Sequence, residues 1–458
     1  MTQKLDNVAD QAQKPDKQSP PDKRARVSRL SIYSFITLIG LILVLFTGLL
    51  FGNLVQKANT KEAATPTTLA SATPTATPDL ASAFQMAKNP SVEPLTLPNG
   101  LYVLYAGQDK IYRVPVAGGT PEALNTPGYH YNRAVPPVLT PSGTLLYTTN
   151  TGVWSIPAFD GQAKQLASLK AGETITSLVL SQDGSHIAWS IAPARGTGTI
   201  RIYAGSLDAP ELVYQSTNKQ CPCFRAFAFL HGTEPTLLIT DNRGDNRANL
   251  YGLWALSLSK QAKKEPIKLL DAETPEMPMG LAPDMNTLLY SDHIGMAPIP
   301  EDKNIPDDIT ALNNANSLSL MAIDGAALKP GSPQVLLPEQ RNMPNKASYH
   351  WVHSFQFSPD GKKLTYVVFS SDDRPPFFRH SSLYTVEISG QGTQMHLGQP
   401  QLQATSNAHH VEVGPWLNDQ VVTCYADGAL YALDLQHGTK TRIVQTGQYA
   451  SIIAILKH

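Results

Sequence analysis

The sequence predicts an all-β fold, a seven-bladed β-propeller, carried behind one membrane-spanning helix and a disordered stalk. A unit of two apolar runs joined by an Asp/Gly/Pro turn recurs from about residue 95 to residue 458, its third strand occurs seven times, and residues 30–55 contain no charge. Overall composition agrees. Only 16% of residues are Asp, Glu, Lys or Arg, against about 25% in ordinary soluble domains, while Pro (36) and Gly (31) are plentiful. Many turns between short strands use such residues; long helices do not. The formal net charge of −1 gives no electrostatic footprint for nucleic acid, and no nucleic-acid partner is expected.

Residues 1–29 are rich in Lys, Asp, Gln and Pro and too poor in apolar side chains to build a core, so they read as a disordered tail. Residues 30–55 have the length that a helix needs to cross roughly 30 Å of hydrocarbon. The cluster Lys23-Arg24-Ala25-Arg26-Val27-Ser28-Arg29 precedes this stretch, and only Lys57 and Lys61 follow closely, beside Glu62. The positive-inside bias puts the tail in the cytoplasm and everything after residue 55 outside, which makes the chain a single-pass protein of the cell membrane. A cleaved signal peptide would have an apolar region of only about 7–15 residues. Residues 56–94 are Thr-, Ala- and Pro-rich without apolar period and read as an extended spacer.

Residues 95–458 carry the repeats. Pro141-Ser142-Gly143-Thr144-Leu145-Leu146-Tyr147, Gln182-Asp183-Gly184-Ser185-His186-Ile187-Ala188-Trp189 and Pro283-Asp284-Met285-Asn286-Thr287-Leu288-Leu289-Tyr290 each join a tight turn to an alternating strand. The third strands run from Lys110-Ile111-Tyr112-Arg113 to Ala429-Leu430-Tyr431-Ala432. One four-stranded sheet cannot bury both faces, so several must pack around a common axis. The first unit has little room for an innermost strand, and the apolar run from Ala450 to Leu456 has no hairpin partner of its own. That last strand is expected to enter blade one, closing the ring and removing an exposed edge. Three cysteines are too few for a disulfide framework. Cys221 and Cys223 read either as a local disulfide or as two loop thiols, and Cys424 as a small buried apolar residue.

The turn Phe357-Ser358-Pro359-Asp360-Gly361-Lys362-Lys363-Leu364 resembles the repeat signature of the TolB-like and WD40-like β-propeller families, and the resemblance extends over most of residues 95–458. It implies the propeller fold and leaves the activity open, because propellers host many functions.

In such a ring the loops between second and third strands share one face with the links to the next blade, and the Asp-Gly turns emerge on the other. The former loops are short in blades one, two and seven and long in blades three to six, notably residues 292–316 and 371–380. Neighbouring insertions on one rim suggest a binding surface, with Arg374 and Phe377 upon it. Links toward the channel carry His130, Tyr131, Arg133, Arg225, His350, Trp351, His353, His410 and Glu412. Aromatic, His and Arg side chains in such places suit a glycan, peptide or anionic ligand; ordinary capping of the channel is the plainer reading of the same residues.

No G-x-S-x-G, H-E-x-x-H, P-loop or dinucleotide fingerprint occurs. The leading expectation is a non-catalytic, extracytoplasmic binding or scaffolding propeller with no cofactor and no metal, whose partner is an unidentified protein, peptide or glycan. The alternative is a metal-dependent propeller hydrolase or lyase using the central channel, for which only Glu412, Asn132 and Asn345 stand as candidate oxygen ligands beside the histidines. A structural subunit of an envelope complex is the third reading.

Overall fold

The computed structural model describes residues 84–88, 95, 97–159, 161–195, 198–217, 223–232, 235–241, 251–259, 265–271, 276–291, 317–338, 348–372, 379–390, 395–407, 411–446 and 450–458. The expected tail (1–29), membrane helix (30–55) and most of the linker lie outside these residues. Among the described residues no helix is long and apolar enough to cross a membrane.

The described strands form seven antiparallel sheets, one per blade. Blade three shows the plan: Glu173–Leu180 is innermost, followed outward by His186–Pro193, Ile200–Ser206 and Ala209–Ser216. The innermost strands of the other blades are Ser451–Lys457 (one), Val138–Leu139 (two), Phe224–Leu230 (four), Glu276–Leu281 (five), Ser348–Phe357 (six) and Val411–Trp416 (seven).

The pleat explains the ring. Successive side chains on a strand point to opposite faces, and here each face meets a different neighbour. Val103 joins the cluster shared with blade seven, while Leu104 joins the one shared with blade two. Leu145 packs toward blade one and Leu146 toward blade three. Leu237 and Leu238 divide in the same way between blades three and five. Seven apolar clusters among the described residues thus fill seven spaces between blades.

Closure follows the expectation. Ser451–Lys457 pairs antiparallel with Leu101–Ala106, from Leu101 opposite Lys457 to Ala106 opposite Ser451. The His458 amide adds a bond to Gly100 O at 2.9 Å.

Part of the expected 56–94 spacer is ordered against the ring. Gln85–Met86 pairs with Thr405 and Ala404 on the outer strand of blade six. Phe84, 1% exposed, enters the cluster between blades six and seven, with its ring 5.6 Å from that of Tyr431. Its amide donates to Asp427 Oδ2 at 2.9 Å, and the Ala87 amide to Gln403 O at 2.8 Å. A single aromatic residue in a run of small ones supplies enough apolar area to hold the segment.

The turns on the lower face repeat one chemistry. Asp183 accepts from the Ser181 and Ser185 hydroxyls at 2.6 and 2.7 Å and from the Ser185 amide at 3.0 Å. Asp360 accepts from Ser358 Oγ and the Lys362 amide. Gly184 and Gly361 follow with φ of 69° and 72°, the left-handed region that glycine enters without strain. These bonds, led by the one from Ser181, lower the Asp183 pKa from 3.8 to about 2. A depressed folded-state pKa stabilises the fold above the unfolded value and ceases to do so as pH falls through the folded one. The stability of the wild-type chain is therefore expected to decline between pH 4 and 2 more steeply than that of Asp183→Asn in denaturant titrations. Removal of residues 451–458 leaves Leu101–Ala106 as an open edge; calorimetry is expected to show unfolding at a lower temperature and over a broader range than in the wild-type chain, and an unchanged unfolding profile would refute the closure role.

Candidate functional site

Pairing Ser451 with Ala106 places the start of the closing strand beside the turn that follows blade one's second strand. That turn is closed by the Gly107 amide on Lys110 O at 2.8 Å. The link from blade one to blade two crosses the same end, where the Tyr131 amide donates to Gln108 O at 2.8 Å. Asn132 turns the link inward, accepting from the Ala134 amide at 3.0 Å and from the Val135 amide through its carbonyl at 3.0 Å. Blade seven adds Glu412, the second residue of its innermost strand, opposite Tyr425. These elements enclose a cavity of about 430 Å³ at the upper mouth, lined by His130, Tyr131, Arg133, Glu412 and Ser451 among others.

Its electrostatics centre on Tyr131. Burial raises the Tyr131 pKa, and Glu412 raises it further, while a hydrogen bond with the Ser451 hydroxyl and the charge of Arg133 pull it down. The phenol is therefore a neutral donor at physiological pH, set between an acid and a base. His130 stands on the rim, its Nδ1 2.8 Å from Asp109 Oδ1 with both side chains 70% exposed. An exposed pair of this kind contributes little to stability.

Four expected residues, His130, Tyr131, Arg133 and Glu412, thus come together. Arg225 does not join them. It lies on the innermost strand of blade four rather than on a link, 5% exposed, and its Nη1 donates to Thr176 O of blade three at 3.3 Å. Desolvation lowers its pKa to about 10. It ties two innermost strands together inside the ring. His350 and Trp351 lie on the innermost strand of blade six, opposite Ser370 and Phe369, and His353 falls at a bulge between Val352 and Ser354. The side chains of these three, and all of Arg374, Phe377 and His410, lie outside the described ones.

Ser451 and Asp109 were not singled out by sequence. The expected closure contained the signal for Ser451, because the first residue of a closing strand must reach the upper mouth. Among the described residues no three His, Cys, Asp or Glu side chains are grouped as metal ligands. Asp241, the last residue of blade four's second strand, accepts from the Cys223 amide at 2.7 Å. Cys223 is disulfide-bonded, and Cys424 is a buried free thiol whose pKa burial pushes up. The lower face has its own openings. One of about 780 Å³ borders blades one to three, with Leu139, Leu180 and Ile455 in its wall, and one of about 440 Å³ borders blades three to six.

No family model and no curated protein matches the chain. Solved structures similar to it include a periplasmic gluconolactonase of Pseudomonas aeruginosa, 14% identical over 77% of this chain and 99% of that one, with a TM-score of 0.46. A protein from Lactobacillus plantarum is 12% identical over 78% and 97%, with a TM-score of 0.45. A putative 6-phosphogluconolactonase of Bacteroides uniformis is 9% identical over 78% and 99%, with a TM-score of 0.44. At these identities the likeness extends no further than the fold.

The Tyr131 environment gives a direct check. In ultraviolet titration of single-tyrosine difference spectra, Glu412→Gln is expected to lower the Tyr131 pKa and Arg133→Ala to raise it. Equal pKa values in all three proteins would show that these groups do not face one another.

Proposed function

We propose that the chain is a non-catalytic, membrane-tethered propeller that holds a glycan or peptide ligand at its upper mouth, outside the cytoplasm. The tethering rests on the charge-free stretch at residues 30–55 and the basic cluster before it. The binding role rests on one observation: Tyr131, Arg133, Glu412 and Ser451, drawn from three different blades and links, line one cavity of about 430 Å³. Such a cavity offers a cation, an anion, a neutral phenol and a hydroxyl within a concave wall, the arrangement by which a polar ligand is oriented. A flat aromatic face beside fixed charges suits a sugar ring or a peptide backbone equally.

Full-length protein in detergent, screened on glycan and peptide arrays, is expected to retain a ligand whose affinity falls about tenfold or more in Arg133→Ala, the loss of one charge-assisted hydrogen bond. Tyr131→Phe is expected to weaken it less. A ligand indifferent to both substitutions would remove the site from the upper mouth. One divalent ion per purified chain, lost in Glu412→Gln, would instead favour the metal-dependent hydrolase or lyase reading.

A further inference from the structure

We propose a second ligand site on the rim between blades six and seven, one that takes a single sugar ring and favours an acidic one. A cavity of about 220 Å³ opens there, room for about seven waters and too small for a chain of sugars. Its wall is unusual in chemistry. Five glutamines line it: Gln399, Gln401 and Gln403 from blade six and Gln420 and Gln436 from blade seven. Each amide offers donors and an acceptor together, which is the complement of neighbouring ring hydroxyls that also do both.

Two cations stand beside the amides, and both are held. Lys363 Nζ donates to Asp419 O at 2.8 Å, and Lys88 Nζ to Leu435 O at 2.9 Å. Each ammonium keeps further donors and its charge. Among the described lining residues Glu387 is the one acid, so two lysines against one glutamate leave a net +1 there, which favours a sugar bearing a carboxylate. Gln403 is 3% exposed, and its Oε1 has no hydrogen-bond partner among the described residues. A ring hydroxyl in the cavity that Gln403 lines satisfies this acceptor.

The tether completes this site. Lys88 lies in the segment 84–88 that packs against the ring, and the Ala87 amide is bonded to Gln403 O. The segment fits because Gly438, with φ of 67°, has no Cβ; one added there would lie 2.7 Å from Lys88 Cβ. A sugar in the cavity therefore binds the docked form of the spacer and, by linkage, stabilises it. The site shares no residue with the upper mouth and stands or falls independently of it.

The test titrates full-length protein in detergent with glucuronate and with N-acetylglucosamine, by calorimetry and saturation-transfer NMR. Binding is expected in the millimolar range, tighter for glucuronate. It is expected to weaken about tenfold in Lys363→Ala and to be lost in Gln403→Leu, a near-isosteric change whose folding is checked by circular dichroism. Arg133→Ala at the upper mouth is expected to leave it unchanged. Amide exchange at Ala87 is expected to slow at saturating sugar. The proposal is overturned if neither sugar binds, if binding survives in folded Gln403→Leu, if Arg133→Ala abolishes it, or if exchange at Ala87 is unaffected.

Discussion

Each sheet in this molecule is apolar on both faces, and that constraint determines the rest. Leu145 and Leu146 are adjacent in sequence and both fully buried, yet they belong to different clusters. A strand with such a pattern needs a neighbour on either side, and those neighbours need theirs. The requirement ends only when the last blade meets the first, through Val103 and Tyr105 against Val421 and Tyr425. Hydrophobic burial supplies the driving force, and the antiparallel pairing of Leu101–Ala106 with Ser451–Lys457 fixes the register in which the ring joins.

The upper cavity is a by-product of that join. It exists where the closing strand begins, where the link out of blade one turns at Asn132, and where blade seven starts its innermost strand. No single unit owns it. Tyr131 feels Glu412 because the ring brings them together, although they are far apart in sequence. The rim cavity between blades six and seven is composite in the same sense, since its wall draws on two blades and on Lys88.

Much of the architecture was legible in the sequence because turns and pleats are local. Asp183-Gly184 and Asp360-Gly361 announce reversals whose backbone angles few other residues adopt easily. The unpartnered apolar run from residue 450 onward announced the closure. His130, Tyr131, Arg133 and Glu412 could be placed at one mouth because strand polarity decides which loops share a face. Other positions depend on tertiary contacts that carry no local mark. Arg225 reads like a channel ligand, yet it bonds across to Thr176 as a brace between blades. Residues 84–88 have the composition of a spacer, and only the pocket beside Tyr431 gives Phe84 a reason to be ordered. The glutamines of the rim lie on a strand (Gln401, Gln403) or in connections (Gln399, Gln420, Gln436), and no local pattern marks them as one wall.

The join between the beginning and the end of the ring also bears on how the molecule acquires its shape. Pairing Leu101 with Lys457 closes a loop spanning nearly the whole domain, an entropic debt of about 5 kcal/mol by polymer statistics. Until the final strand arrives, the first blade is a three-stranded fragment with a naked inner margin, open to association with similar margins on other chains. High contact order of this kind makes slow folding the expectation. The period before the ring seals is then the interval of greatest exposure to aggregation in the life of the protein.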